Sequence, residues 1–169
     1  ESASSGQSAL RLRFATLPGA TLGQAGIERL RLHLVGEPAY TLYYWLCRYV
    51  GKIKLRLLTQ GRPAEELGLP DCKIQPFGFA KEEALLPYPQ TAFDGYRLLQ
   101  EYFAFPQKFL AVDLSDLRPL ARRSSATTFE ILILFTKAPP ASLRVSKDHV
   151  RLFCTPIVNL FTTDSQPIQ

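Results

Sequence analysis

The chain has no methionine, one tryptophan, two histidines and three cysteines in 169 residues. Each scarcity closes a class of function. Three cysteines, Cys47, Cys72 and Cys154, are an odd number without CxxC spacing, which argues against a disulfide framework and against a structural zinc site and favours a reducing, cytoplasmic setting. Two histidines, His33 and His149, are too few to build a metal centre with cysteines so scattered. No apolar run approaches the roughly 20 residues of a membrane span, and the start ESASSGQSA has neither the charged beginning nor the apolar centre of a signal peptide. With no initiator methionine, the natural protein is expected to begin upstream, so the chain reads as a fragment. The glycines Gly19, Gly23 and Gly26 match neither GxGxxG nor a phosphate loop, so nucleotide binding has no motif. No internal repeat and no low-complexity tract occurs.

What is abundant is apolar area and early basic charge. At 46% hydrophobic, one domain over residues 1–169 can bury a substantial core. The net charge of +5 is unevenly placed: the first third carries Arg11, Arg13, Arg29, Arg31, Arg48, Lys52, Lys54 and Arg56 against Glu1, Glu28 and Glu37. LRLRF (10–14), RLRLHLV (29–35) and KIKLRLL (52–58) alternate apolar and basic residues, the period of a half-buried strand. If the three share one sheet, Arg11, Arg13, Arg29, Arg31, His33, Lys52, Lys54 and Arg56 line its outer face. That face admits three readings: a phosphate-contacting surface with His33, Tyr40, Tyr43 and Tyr44 stacking on bases, an interface for an acidic protein, or a solvated outer face whose long basic stems cover the sheet. No RNP, KH or helix-turn-helix signature favours the nucleic-acid module.

The linker TLPGATLGQAG reads as a loose hairpin loop, and PAYTLYYWLCRYV (38–50) as a helix crossing one face of the sheet. CKIQPFGF is a short edge strand, because Pro76 cannot donate to a ladder. A loop or single helical turn follows, ending at Pro87 and Pro89. Asp94 is placed to cap a helix running through Tyr102, with Arg97 and Glu101 spaced i, i+4 on its outer side and Tyr96, Leu99, Tyr102 and Phe103 on the inner one. KFLAVDL (108–114) and TTFEILILFT (127–136) are strands. HVRLFCTPIVNLF is a last strand interrupted by Pro156. The fold class is α+β: a mostly antiparallel sheet, open or folded into a β-sandwich, with two helices packed on it.

Catalytic chemistry finds no footing. His149 and Cys154 are five residues apart in extended chain, on opposite faces. Glu82 with Glu83, and Glu65 with Glu66, sit in polar loops and read as solvated rather than as an acid/base pair. No cofactor is implied, and the chain does not read as an enzyme.

Two stretches carry more than composition. LLPYPQTAFDGYRLLQEYFAFPQKFLAVDL (85–114) and VRLFCTPIVNLFTTDSQPI (150–168) resemble the signature blocks of the TssF family, also called ImpG or VasA, a baseplate subunit of the bacterial type VI secretion system. The first block resembles the family pattern through Gly95, Tyr96, Leu98 to Phe103, Phe105, Pro106, Lys108 to Leu110, Asp113 and Leu114. The second matches through Thr155 to Phe161 and Pro167-Ile168. Gln107 stands where the family usually has Glu, and Ala111-Val112 where it often has bulky aromatics, which bears on local packing only.

The resemblance implies a non-enzymatic scaffold domain within a longer chain. It would lie in the cytoplasm at a baseplate docked to the inner-membrane complex, with TssG, a second TssF copy and TssK as partners and the sheath and spike as further ones. Neither nucleic acid nor direct membrane insertion is implied. The motif residues singled out as core or interface are Phe93, Gly95, Tyr96, Leu99, Glu101, Tyr102, Phe103, Phe105, Pro106, Phe109, Pro156, Asn159, Leu160 and Phe161. Arg11, Arg13, Arg29, Arg31, Lys52, Lys54 and Arg56 form the candidate basic interface. An aromatic stripe at helical spacing is expected to face a core, the alternative being a partner surface. Asn159 is read as tying down a turn, with Leu160 and Phe161 buried.

Overall fold

The computed structural model describes residues 8–58, 64–89, 91–121 and 127–159. Alternation produces two sheets rather than one. Strands β1 (Ala9–Ala15), β3 (Val50–Leu58), β4 (Glu65–Gly68) and β7 (Thr128–Phe135) form a first sheet in the order β1-β7-β3-β4. Strands β2 (Leu30–Leu34), β5 (Ile74–Pro76), β6 (Ala111–Leu114) and β8 (Val150–Arg151) form a second in the order β5-β6-β2-β8. Every pairing among the described residues is antiparallel. The inward positions Leu32, Leu55, Leu57, Val112, Phe129, Ile131 and Ile133 are at most 4% exposed and share one core. This is the sandwich alternative of the α+β reading.

The strand TFEILILF becomes the spine of the first sheet, between β1 and β3, because both of its faces have apolar side chains to offer. Helix α2 (Ala39–Arg48) turns Ala39, Leu42 and Leu46 into the common core and contacts strands of both sheets. Its 3.6-residue period leaves Tyr40 and Tyr44 in solvent. Gly51 sits where the β3 register slips between Val50 and Lys52, and a Cβ there would lie 2.7 Å from Thr136 Cγ2. A side chain at residue 51 would therefore force Thr136 or the bulge to shift.

Several expectations are corrected. The first and second alternating segments lie in different sheets, so TLPGATLGQAG is a crossover and not a hairpin loop. It contains a one-turn helix, α1 (Leu22–Ala25), closed by a Thr21/Gln24 capping box and by Gly26 at φ 56°. Residues 65–68, read as loop, form strand β4. A further one-turn helix, α4, covers Arg118–Ala121. The last strand is only two residues long, and residues 154–159 are irregular. Ile74–Pro76 does occupy an edge, as its proline requires. No helix among the described residues is long and apolar enough to cross a membrane.

Candidate functional site

Helix α3 (Asp94–Ala104) carries the first motif block. Its orientation is the reverse of the amphipathic expectation. Tyr96, Leu99, Tyr102 and Phe103 are 66%, 57%, 47% and 81% exposed, while Arg97 and Glu101 are 2% and 1% exposed. Phe93 and Phe105 at its two ends are also exposed. The core placement of the aromatic stripe and the outer placement of Arg97 and Glu101 are therefore both overturned. Phe93, not Asp94, occupies the cap position, and the Asp94 carboxylate lies 3.2 Å from Lys81 Nζ.

The inversion follows from what the helix packs against. Its inner side meets segment 79–86, which holds a single 3-10 turn at Lys81–Glu83 and whose flanking backbone groups, outside any strand, must find hydrogen bonds elsewhere. Arg97 Nη2 donates to the carbonyls of Phe79 and Ala80 at 3.1 and 3.4 Å. Glu101 Oε1 accepts from the amides of Leu85 and Leu86 at 2.7 and 3.2 Å. Its other oxygen, Oε2, accepts from Arg97 Nη1 at 3.2 Å and from Lys108 Nζ, and Lys108 is itself 1% exposed. Glu83, read as solvated, instead accepts from the amides of Gly78 and Ala80 at 2.7 and 3.1 Å. Burial pushes the Glu101 carboxyl up, but the Lys108 hydrogen bond and the two backbone amides outweigh it and hold the group below its ordinary value. One buried carboxylate thus ties helix, loop and the 3-10 turn Pro106–Phe109 together, and presents the aromatic side outward.

That outward surface is large. With about 150–250 Å² per large side chain, the exposed fractions of Phe93, Tyr96, Leu99, Tyr102, Phe103 and Phe105 amount to roughly 700 Å². Patches of that size mark interaction sites on soluble proteins. Pairwise ring contacts knit the surface together: Phe93 with Tyr96 at 5.8 Å, Tyr102 with Phe103 at 5.9 Å, and Tyr102 with the buried Phe109 at 6.0 Å between centroids. Between α3 and α2 the surface dips into a groove of about 390 Å³, walled by Tyr40, Tyr43, Phe79, Leu99 and Tyr102 over Leu110. Gly95 serves this surface as well, since a Cβ there would lie 2.3 Å from the Phe93 ring.

The second motif block reaches the same place. Val158 and Asn159 line a hollow of about 300 Å³ with Leu85, Leu86, Glu101 and Phe105. Ile157 is 86% exposed and Asn159 is exposed, whereas Pro156 is half-buried. Leu160 and Phe161 lie outside the described residues. Phe153, within the block but before its matching residues Thr155 to Phe161, is 99% exposed at a left-handed φ of 56°.

The basic residues do not form one face. Arg11, Arg13, Lys52, Lys54 and Arg56 belong to the first sheet and Arg31 to the second, beside Arg29. Carboxylates meet most of them. Arg31 makes a bidentate pair with Asp113 at 2.7 and 2.8 Å, its guanidinium 3.4 Å above the Phe77 ring, and Arg29 reaches Asp113 at 3.9 Å. Arg56 lies 3.2 Å from Glu66 and 3.8 Å from Glu130, and Lys54 lies 3.6 Å from Glu66. His33, which the stacking reading placed outward, has Nε2 buried beside Phe77.

Nucleophilic chemistry gains no support from the thiols. Burial pushes the Cys72 thiol up to about 11, which keeps it protonated, and the exposed Cys47 and Cys154 are unpaired thiols. His149 Nδ1 accepts from the Ser146 amide at 3.0 Å in a local turn. Among the described residues, no three His, Cys, Asp or Glu side chains cluster as metal ligands.

Sequence reasoning named Glu101 and the aromatics but missed the roles of Lys108 and Phe79–Leu86. A usable signal was present: two ionisable residues at i, i+4 inside an apolar run, followed by a lysine just beyond a helix-ending proline.

The family model for the type VI secretion system protein TssF matches residues 1–169. The type VI secretion system component TssF1 of Pseudomonas aeruginosa is 36% identical over 155 residues, covering 90% of this chain and 25% of the relative. The chain therefore spans about a quarter of that relative's length. A chain in the cryo-electron microscopy structure of a type VI secretion system TssK-TssF-TssG baseplate subcomplex superposes with a TM-score of 0.80 at 32% identity. That superposition covers 95% of this chain and 30% of the solved one.

Proposed function

The chain belongs to the TssF family of the type VI secretion system, and on that premise we propose that it is a structural scaffold of the baseplate wedge, acting through protein interfaces rather than by catalysis. The observation that carries the reading is the aromatic side of α3, turned to solvent by the buried Arg97–Glu101–Lys108 cluster. A helix that buries its charges and exposes its rings costs stability unless another surface covers the rings, and roughly 700 Å² approaches one side of a standard interface. TssG, TssK and a second TssF copy are the proposed partners, because the similar solved chain comes from a TssK-TssF-TssG subcomplex. Contacts to sheath or spike and docking at the inner-membrane complex extend the same proposal.

The test is co-elution of the protein with TssG and TssK on a sizing column with light scattering. A Tyr96→Ser/Phe103→Ser variant should melt like the parent and lose the complex. Retention of the whole complex by that variant would refute the role of the aromatic face.

A further inference from the structure

Among the described residues the two sheets have four edges, and three of them are blunted. β5 is three residues with Pro76, β8 is two residues, and β4 is four residues ending in Gly68. Short strands and prolines are ordinary ways of closing an edge. β1 is different: seven residues without proline, glycine or bulge, paired on one side only among the described residues.

The hydrogen-bond parity of β1 can be read from its ends. The Phe135 amide donates to the Ser8 carbonyl at 3.0 Å and the Thr16 amide to the Thr127 carbonyl at 2.8 Å. With the register Ala9↔Leu134 to Ala15↔Thr128, alternation in an antiparallel ladder gives the bonded positions to Leu10, Leu12 and Phe14. Ala9, Arg11, Arg13 and Ala15 then aim their amides and carbonyls away from β7, at the open edge. Along this edge runs a cleft of about 450 Å³ lined by Leu10, Leu12, Phe14, Val145, Val150 and Leu152. Its charged lining is Arg11, Arg13, Lys147 and Glu130, and Glu130 is already 3.8 Å from Arg56. Arg11 and Arg13 are exposed and make no ion pair among the described residues.

We propose that β1 is a docking edge for an extended partner segment of alternating acidic and apolar residues, which joins the first sheet as a fifth strand. Main-chain bonds would come from Ala9, Arg11, Arg13 and Ala15. The partner's apolar side chains fill the cleft beside Leu10, Leu12 and Phe14, and its carboxylates stand opposite Arg11 and Arg13 on the outer face. The same arginines oppose a second copy of β1, which would set arginine against arginine.

The probe is a short synthetic peptide of alternating glutamate and valine, with a lysine–valine counterpart and a version N-methylated on its edge-facing amides. The glutamate–valine peptide should bind and slow hydrogen exchange at the Arg11 and Arg13 amides, whereas the N-methylated version should not bind. An Arg11→Glu variant, whose side chain stands across from Leu132 and not from a carboxylate, should melt like the parent, bind the peptide about fivefold or more weakly and come to prefer the lysine–valine peptide. Unchanged exchange at Arg11 and Arg13, equal binding of both peptides, or binding of the N-methylated version would overturn the proposal. So would peptide-free dimers in which those amides are already protected.

Discussion

Glu101→Gln is the substitution that tests the architecture of α3 most directly. Glutamine matches glutamate in shape, and its carbonyl can still accept from the Leu85 and Leu86 amides now bonded at 2.7 and 3.2 Å. What disappears is the one anion facing two buried cations, Arg97 and Lys108. Removing one partner of a buried pair costs about 3–5 kcal/mol, because the remaining charge is left without compensation. At a urea m-value of about 2–3 kcal/mol per M, the midpoint should fall by about 1.5 M. Exchange at the Leu85 and Leu86 amides should rise with it. A second change, Lys108→Met, removes a stranded cation and should recover part of the loss, so the double variant should be more stable than Glu101→Gln alone. The reasoning is refuted if Glu101→Gln unfolds within about 0.5 kcal/mol of the parent with exchange at Leu85 and Leu86 unchanged.

Acid should expose the same group. Glu101 is held below the ordinary carboxyl value of 4.5, so the unfolded chain takes up that proton first and stability rises with pH in this window. Its contribution is complete above about 4.5 and is lost as pH falls through the folded value; acid titration of melting should be flatter there for Glu101→Gln. His33 acts in the same direction at higher pH: burial and Arg31 lower it from 6.5, so a first loss should begin below about 6.5, absent in His33→Gln. Gly51→Ala should cost about 1–3 kcal/mol by driving its Cβ against Thr136 Cγ2. Thr136→Ser, which keeps the hydroxyl bonded to the Tyr49 carbonyl, should restore most of that loss in a thermal melt. Phe153→Asn should raise stability by about 0.5–1 kcal/mol by relieving the left-handed φ of 56°; a drop in melting temperature would show that the ring contributes packing its exposure conceals.

Local pattern carried most of the secondary structure. Leu10/Leu12/Phe14, Leu30/Leu32/Leu34 and Ile53/Leu55/Leu57 face inward as their period of two requires, because alternation is a property of the extended backbone and needs no knowledge of partners. Pro76 at an edge and Leu42 and Leu46 of α2 in the core follow equally from local chemistry. Strand partnership is non-local. Nothing in LRLRF or RLRLHLV says that one joins Thr128–Phe135 and the other Ala111–Leu114, and this separation divided the basic face between two sheets. The polarity of α3 was hidden for a related reason. Periodicity finds two sides of a helix but not which one is inside, and hydrophobicity names the wrong side when the neighbour is an irregular segment in need of hydrogen bonds. The residue types of α3 were legible in the chain. That Glu101 is buried and Phe103 exposed was set by the backbone groups of Phe79, Ala80, Leu85 and Leu86, which the tertiary fold brings against the helix to bond with Arg97 and Glu101.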